Sequence, residues 1–255
     1  TNIDADHMDV YRDLADLKAA FLEFMNSVPF YGLVILCFDD PELRELTEKV
    51  HRRVLTYGLG EGADVSAKCL ETRAFGTVFT CFQGERKLGR AELHVPGHHN
   101  VQNALAVITM GLWLGVSFED VAGALASFQG TERRQQFKGE RDGVAVIDDY
   151  GHHPTEIRAT LECLRSIGRR TIVVFQPHRY TRTMYLMEQM GDCFEAADRL
   201  FVLPVYAAGE DPIPGADSET LIRKMGAGMP VTFVEDHMTM VNRIRQEARP
   251  GDLVV

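Results

Sequence analysis

Three segments of this sequence bring together side chains that could bind and transform a polar substrate. They lie at residues 148–156, 175–183 and 206–210, and together they contain carboxylates, imidazoles, guanidiniums and phenols. Arg179 and Arg182 carry planar charged groups whose N–H donors suit a carboxylate or a phosphate. This mixture of side chains is typical of a functional site rather than of three solvated turns.

The histidines and one aspartate of these segments suggest more specific chemistry. His152 and His178 could orient or deprotonate a substrate amine near neutral pH, and the alternative for each is a loop or capping residue. Asp149 could hold ribose hydroxyls or an ammonium group through its acceptor oxygens.

Two further candidates lie in the first half of the chain. His7 stands among the carboxylates of residues 4–9, which suits a divalent cation, although a solvated acidic turn explains the segment equally well. Asn100 and Asn103 are three residues apart and therefore share a helical face. An asparagine amide can pair with the amino group and a ring nitrogen of adenine. Spacing alone favours the simpler alternative, in which Asn100 caps the helix.

The polar segments each follow a short apolar stretch that reads as a β-strand. In this part of the chain strands and helices alternate, which predicts an α/β fold with a parallel, doubly wound sheet. In such sheets ligands bind beyond the carboxyl ends of the strands, where these segments would lie. The predicted strands are 144–147, 171–175, 200–205, 231–234 and 253 onward, and the predicted helices are 154–166, 183–197, 218 onward and 238–248.

The first half has a different pattern, and we place the domain boundary near Gly130, giving domains 1–130 and 131–255. Asp40 with Pro41, and Ser117 with Asp120, are predicted to begin helices. Other predicted elements are a helix at 11–26, a strand at 31–38, a small antiparallel unit at 67–95 and a helix at 100–114, apolar nearly all round and hence buried.

Composition excludes several classes of function. The chain has 255 residues and a net charge of −10, which argues against nucleic acid as a partner. No apolar run is long enough to cross a membrane and no signal peptide is visible, so we expect a cytoplasmic protein without a membrane partner. The five cysteines form no Cys-x-x-Cys pair, and we expect them to be buried and reduced.

Taken together, the motifs resemble the Mur ligase family over nearly the whole chain. The resemblance rests on residues 2–9, 99–104 and 133–134, and more specifically on 148–156, 175–183 and 206–216. It implies that the chain holds the later part of a central ATPase domain and most of a Rossmann-like C-terminal domain. Oligomeric state does not follow from it.

The resemblance also implies roles for individual residues. His7 would be a magnesium ligand, and Asn100 and Asn103 would contact adenine. Arg134 would contact the nucleotide phosphates and Asp149 the ribose. The residues implied for the amino acid and an acyl phosphate are Tyr150, His152, His178, Arg179 and Arg182, and Tyr150 is also assigned to nucleotide binding.

The implied reaction uses ATP and Mg²⁺ in two steps, with UDP-N-acetylmuramate and L-alanine as substrates. The muramate carboxylate attacks the γ-phosphate to give an acyl phosphate and ADP, and the alanine amine then expels phosphate. Residues 150–153 favour L-alanine over the peptide acceptor of a recycling ligase. Folate polyglutamylating ligases are a second alternative among enzymes, but their motifs match less well. The alternative that is not an enzyme is a non-catalytic nucleotide-binding module.

The sequence departs from the family in two respects. Gln135 and Gln136 separate Phe137 from the arginine pair, whereas the family usually has a phenylalanine directly after the arginines. The sequence also has no Gly-rich phosphate loop ending in Gly-Lys-Thr or Gly-Lys-Ser. The chain begins at Thr1 without a methionine and stops within the strand-like run at 252–255. We therefore expect a piece of a longer ligase that has no turnover by itself.

Overall fold

The chain folds as two compact units. The computed structural model describes every residue except Asp6, His7, Asp9, Ala74, Phe75, Gly226 and Ala227. The first unit comprises Thr1–Gln129 and the second Gly130–Val255, and each is built on its own β-sheet. The predicted α/β class is confirmed. The metal prediction for His7 lies outside the described residues.

The first unit contains a mixed five-stranded sheet in the order β1-β2-β3-β4-β5. The strands are β1 (Val34–Cys37), β2 (Val54–Gly58), β3 (Val65–Arg73), β4 (Gly76–Gln83) and β5 (Arg86–Leu93). The first three are mutually parallel, whereas β3, β4 and β5 form the predicted antiparallel unit. The helices are α1 (Leu14–Ser27), α2 (Pro41–Thr47), α3 (His98–Trp113) and α4 (Phe118–Ser127).

Two helices of this unit begin where side-chain chemistry predicts. Asp40 accepts a hydrogen bond from the Leu43 amide and Pro41 occupies the first turn of α2. Ser117 accepts a hydrogen bond from the Asp120 amide at the start of α4. Both pairs satisfy amide groups that a helix N-terminus leaves without an internal partner.

Helix α3 is buried on one side only, so the prediction of a fully buried helix is wrong. Val101, Leu105 and Ile108 are buried against the sheet, while Val107 is 51% exposed and Met110 48% exposed. A helix packed on one face of a sheet covers a single stripe of its surface, and apolar residues outside that stripe stay accessible.

The second unit contains a six-stranded sheet in the order β10-β9-β8-β11-β7-β6. Its strands are β6 (Gln136–Arg141), β7 (Val144–Asp148), β8 (Thr171–Phe175), β9 (Arg199–Val202), β10 (Val231–Phe233) and β11 (Leu253–Val254). All neighbours are parallel except β6 and β7, so the predicted doubly wound sheet is confirmed and gains an antiparallel edge strand. The helices are α5 (Pro154–Arg165), α6 (Tyr180–Tyr185), α7 (Met187–Asp192), α8 (Ser218–Lys224) and α9 (His237–Glu247).

The single helix predicted at 183–197 is instead two short helices. Helix α6 starts three residues earlier, at Tyr180, because the backbone turns sharply at Arg179 and the Thr183 hydroxyl donates back to the Arg179 carbonyl. Leu186, buried and with φ −98°, separates α6 from α7. The early start places Arg182 inside the first turns of a helix.

The cysteines are free and mostly buried. Cys37, Cys81, Cys163 and Cys193 are buried, whereas Cys69 is exposed at φ +55° within β3, so the expectation of five buried cysteines is wrong there. Burial raises the pKa of the Cys81 thiol to about 12. Within the described part of the chain, no helix is long and apolar enough to cross a membrane.

Candidate active site

The candidate site of the second unit lies at the carboxyl ends of β7, β8 and β9. Beyond β8 and β9 the backbones continue to pair, because the Arg179 amide donates to the Tyr206 carbonyl and the Tyr206 amide donates to the Pro177 carbonyl, both at 2.8 Å. An isolated parallel bridge joins His178 to Tyr206. The sheet thus fixes the two loops that carry the predicted imidazole and guanidinium groups.

His178 is held by a ring on one side and a guanidinium on the other. Its ring stacks on Tyr206 with centroids 5.5 Å apart, and its Nδ1 lies 3.3 Å from Arg182 Nη1. A guanidinium can only donate, so Nδ1 accepts and the proton of the neutral ring sits on Nε2. Burial, followed by the charges of Arg182 and Arg179, lowers the pKa of His178 below 6.5. The imidazole is therefore neutral at pH 7 and presents an N–H donor.

Arg179 has a strained backbone at the start of α6. Its φ of +69° and ψ of 138° lie in a region that non-glycine residues rarely occupy. Its guanidinium is 3.9 Å from Glu210, which accepts hydrogen bonds from both the amide and the hydroxyl of Thr181. Burial would raise the pKa of Glu210, but these hydrogen bonds and the Arg179 charge hold it below its usual range. Strain of this kind persists where surrounding contacts impose it, as they do here.

Asp149 organises the loop that follows β7. One carboxylate oxygen accepts from the Gly151 amide at 2.7 Å, and the other accepts from the Gln135 amide at 2.8 Å and from the Thr160 hydroxyl at 3.3 Å. A carboxylate has about four acceptor positions, so one remains for a ligand hydroxyl. The residue is thus mainly a loop anchor, with limited capacity for the ribose contact that the family resemblance implies.

His152 and Tyr150 form a second cluster with two arginines. The rings of Tyr150 and His152 meet edge to face at 5.4 Å, and the Arg133 and Arg134 guanidiniums lie 4.8 and 5.9 Å from the Tyr150 ring centre. His152 Nδ1 is 3.1 Å from the Tyr150 carbonyl. A carbonyl only accepts, so Nδ1 carries the proton and Nε2 of the neutral ring is left as an acceptor.

Glu156 connects this cluster and had no role in the sequence prediction. It accepts from Arg134 at 3.1 Å and from the His152 amide at 3.3 Å. Burial would raise the pKa of Glu156, but Arg134 and His152 outweigh it and lower the pKa. The sequence did contain a signal for this contact, because residues four apart at the start of a helix, such as His152 and Glu156, lie on the same face.

The asparagine pair of the first unit lies in the opening turns of α3. The cap of this helix is Gly97, with φ +103°, so the alternative that Asn100 caps it is wrong. Asn100 Nδ2 donates to the Pro96 carbonyl at 2.7 Å, which leaves its amide oxygen available as an acceptor. Asn103 is exposed. Donor and acceptor groups suited to a base edge are therefore present at this helix end.

An open cleft lies beside the β8 and β9 loops in the second unit. It has a volume of about 480 Å³, and Gln176, Tyr206, Glu235 and His237 are among the residues that line it. Tyr206 is shared between this cleft and the stacked pair with His178. The size is in the range of small-molecule sites, which cover roughly 300–1,000 Å³.

Comparison with known proteins identifies the family. The Mur ligase middle domain matches residues 1–111, and the Mur ligase glutamate ligase domain matches residues 133–255. The chain belongs to the Mur ligase family. The predicted resemblance is thus confirmed at the level of both domains.

Individual relatives agree with this assignment. The UDP-N-acetylmuramate–L-alanine ligases of Solibacter usitatus and Myxococcus xanthus are 45% and 44% identical over all of this chain. The chain covers 55% of each relative and so spans about half their length.

Solved structures of Mur ligases share the fold. UDP-N-acetylmuramate-alanine ligase from Thermotoga maritima has a TM-score of 0.74 at 24% identity, over 98% of this chain and 53% of that chain. MurF from Acinetobacter baumannii has a TM-score of 0.78 at 20% identity, over 99% of this chain and 54% of that chain. At these identities the likeness concerns the fold alone.

Two contacts between the segments singled out in the sequence of this Mur ligase did not follow from sequence reasoning. Tyr206 and Glu210 belong to a segment that was singled out, yet neither the stacking on His178 nor the hydrogen bonds to Thr181 follow from spacing. Both contacts depend on how the β8 and β9 loops pair in space.

A metal site is absent from the part of the chain that the structure describes. No group of three or more histidine, cysteine, aspartate or glutamate side chains is placed to hold an ion there. His7 and two neighbouring acidic residues are outside that part.

Proposed function

We propose that the full-length protein is an ATP-dependent ligase that joins L-alanine to UDP-N-acetylmuramate through an acyl phosphate. The observation that carries this proposal is the cluster at the ends of β8 and β9, where the neutral His178 imidazole stacks on Tyr206 and contacts the Arg182 guanidinium at 3.3 Å. Support comes from relatives that bear the name of this activity and match the whole chain at 45% identity. We place the reaction in the cytoplasm, where nucleotide-linked substrates are available.

Each unit carries side chains with groups suited to part of a nucleotide. Asn100 and Asn103 offer hydrogen-bonding groups for adenine, Arg134 offers positive charge for the phosphates, and Asp149 keeps one acceptor position for the ribose. A divalent cation would offset the phosphate charge, and its proposed ligand is His7.

The first step makes the acyl phosphate. A carboxylate oxygen of the sugar nucleotide attacks the γ-phosphorus of ATP, the bond to the bridging oxygen breaks, and ADP leaves. Negative charge then accumulates on the transferring group, and fixed cations stabilise it. Arg179 and Arg182 are suited to this role because their guanidiniums stay charged at all relevant pH values.

The second step makes the amide bond. The alanine nitrogen attacks the acyl carbon, the carbon–oxygen bond to phosphate breaks, and the amine loses a proton. His152 has an acceptor Nε2 that suits the amine proton, whereas His178 has a donor Nε2–H that suits a carboxylate or phosphate oxygen. The two histidines would therefore act as acceptor and donor respectively.

The lack of a Gly-rich phosphate loop in these 255 residues bears on the test. That loop supplies backbone amides and a lysine to the phosphates in related nucleotide sites. We propose that the 255 residues alone have no turnover. Multiple turnovers by the isolated chain would contradict this.

The deciding experiment measures phosphate release by the full-length protein. ATP, Mg²⁺ and UDP-N-acetylmuramate are supplied with one amino acid at a time, and we expect release that requires the sugar nucleotide and is fastest with L-alanine. Omission of the sugar nucleotide is the control for simple ATP hydrolysis.

Other outcomes would redirect the assignment. Release with a tripeptide but with no free amino acid would contradict L-alanine as acceptor and indicate a recycling ligase. Binding of ATP without release for any acceptor would indicate a non-catalytic nucleotide-binding protein.

A further inference from the structure

Asp39 lies at a junction of three elements in the first unit. It is the second residue after β1, and its carboxylate accepts from the Leu59 amide at 2.7 Å and from the Gly60 amide at 2.8 Å, just beyond β2. The oxygen that binds Leu59 also accepts from Gln102 Nε2 at 2.7 Å. One carboxylate thus joins the carboxyl ends of two parallel strands to the opening turns of α3.

The backbone leaves room for this carboxylate. A Cβ atom on Gly58 would lie 2.7 Å from Asp39 Oδ1, and one on Gly60 would lie 3.0 Å from it. Burial would raise the pKa of Asp39, but its three hydrogen bonds and the charge of Arg44 outweigh burial and lower the pKa. The group is therefore ionised at neutral pH, and hydrogen bonds to an ionised acceptor are stronger than neutral ones.

Helix α3 combines apolar packing with one directional side-chain contact to Asp39. Its cap is Gly97 and no side chain caps its first turn. Val101 and Leu105 bury apolar surface against the sheet, but apolar burial is non-directional and tolerates small rotations and shifts of a helix. The hydrogen bond from Gln102 to a charged acceptor is directional and fixes both the rotation and the height of the helix.

The position of Gln102 connects this anchor to the asparagine pair. Gln102 lies between Asn100 and Asn103 in the sequence of α3, so any rotation that breaks its bond to Asp39 moves both asparagines. A base edge is read within a few tenths of an ångström, because hydrogen bonds weaken steeply outside about 2.7–3.2 Å.

We propose that Asp39 and Gln102 are a positioning pair that holds the Asn100 and Asn103 side of α3 in register for adenine. The inference rests on the proposed function, because contact between these asparagines and adenine is part of that function. The pair acts through α3 rather than on the nucleotide itself.

The test compares nucleotide binding by variants of the full-length protein, measured by calorimetry with ATP and with GTP. Gln102→Leu and Asp39→Ala each remove the hydrogen bond to the ionised acceptor, which is stronger than a bond between neutral groups. We expect the dissociation constant for ATP to rise about tenfold and the preference for ATP over GTP to fall by a similar factor. The KM for L-alanine should stay within about twofold of its original value.

Asp64→Ala is the matched control. Asp64 is another carboxylate of the first unit that anchors backbone; it is itself exposed, and it accepts from the amide and hydroxyl of the buried Thr56 at 2.7 and 2.8 Å. Its loss should lower stability to a comparable degree and leave the ATP-to-GTP ratio within twofold.

Two outcomes would overturn the proposal. One is a Gln102→Leu protein whose ATP affinity and ATP-to-GTP ratio both stay within twofold of the original. The other is an equal loss of selectivity in Asp64→Ala, which would mean general loosening of the unit. A protein that binds ATP but joins no amino acid would contradict the proposed reaction, and the binding comparison would still decide the role of the pair.

Discussion

The strand-end loops of the two units use polar side chains in different ways. In the first unit Asp39 and Asp40 accept hydrogen bonds mainly from backbone amides, so their carboxylates fix loops and a helix start. In the second unit Asp149 also accepts from backbone amides, but other side chains of the strand-end loops contact one another, as in the pairs His178 with Arg182 and Tyr150 with His152. Backbone-directed carboxylates stabilise a scaffold, whereas clustered side chains keep donors and charges available for a ligand.

Backbone strain is distributed in the same unequal way. Among the described residues, the non-glycine residues with positive φ in the second unit are Arg133, Gln135, Asp142, Arg179 and Ala208, against Cys69 in the first. Arg179 and Ala208 belong to the loops that carry the candidate site. Strain of this type costs about 1–3 kcal/mol per residue and is retained where the surroundings impose it. The comparison therefore predicts that strained backbone at the candidate site lowers the free energy of unfolding of the second unit.

The largest expected effect tests whether the clustered side chains act on a substrate. In the full-length protein, Arg182→Met should lower kcat about 100- to 1,000-fold, the range seen when a fixed electrostatic group is removed from an active site. Steady-state phosphate release measures it. The control is Arg223→Met, on an exposed arginine that bonds only to Thr220 among its described contacts, which should stay within twofold. A loss of kcat below fivefold for Arg182→Met would contradict the view that the clustered side chains of the second unit act on a substrate.

Arg179 tests whether strain is stored in the second unit. Arg179→Ala and Arg179→Gly both remove the guanidinium, but only glycine relaxes at φ +69°. We expect the glycine variant to exceed the alanine variant by about 1–3 kcal/mol in the free energy of unfolding, measured by urea denaturation. Equal stabilities would show that the backbone at Arg179 carries no strain.

The helix caps of the two units should contribute equally to stability, so that the units differ only in their strand-end loops. Asp40 caps α2 by accepting from Leu43, and Asp217 caps α8 by accepting from Thr220. Asp40→Ala and Asp217→Ala should each lower the free energy of unfolding by about 1 kcal/mol. Thermal unfolding of the two single variants and the double variant measures this. A difference above about 1 kcal/mol between them would mean that one cap has a second role.

The smallest effect is a change in protonation at His178. Its pKa in the folded chain is lowered from 6.5 by burial and then by Arg182, so the contribution of this residue to stability is full above pH 6.5. That contribution declines as the pH falls from 6.5 towards the folded pKa, because the unfolded state binds the proton more tightly. Histidine NMR should show a midpoint below 6.5 that rises in Arg182→Met. A midpoint at or above 6.5 would contradict the placement of Arg182 against Nδ1.

Most helices and strands could be predicted because local chemistry specifies them. Two helix starts were predicted from capping residues, Asp40 with Pro41 and Ser117 with Asp120. Apolar runs such as Thr171–Phe175 predicted buried parallel strands. Strand β6 was missed because it is a polar edge strand that pairs with a register shift between Phe137 and Gly139. Strand β2 was missed although Val54–Gly58 carries β-branched and aromatic residues.

The site was predictable as a set of segments but not as a set of contacts. Residue types placed His178, Arg179 and Arg182 at a strand end, and the parallel sheet did bring the loops together. The stacking of Tyr206 on His178 is a contact between two separate loops, and the contact of Arg182 with His178 Nδ1 depends on the backbone turn between them at Arg179. Such contacts are decided by packing in three dimensions, which periodicity does not encode.

The distribution of thiols has a practical consequence for labelling. Four cysteines are buried, and burial raises the pKa of Cys163 to about 11 and that of Cys193 to about 12, so few thiolates form there at neutral pH. Cys69 is exposed. A maleimide dye added to the folded native chain should therefore attach at Cys69 alone. It would give a fluorescent reporter on the first unit without any engineered cysteine.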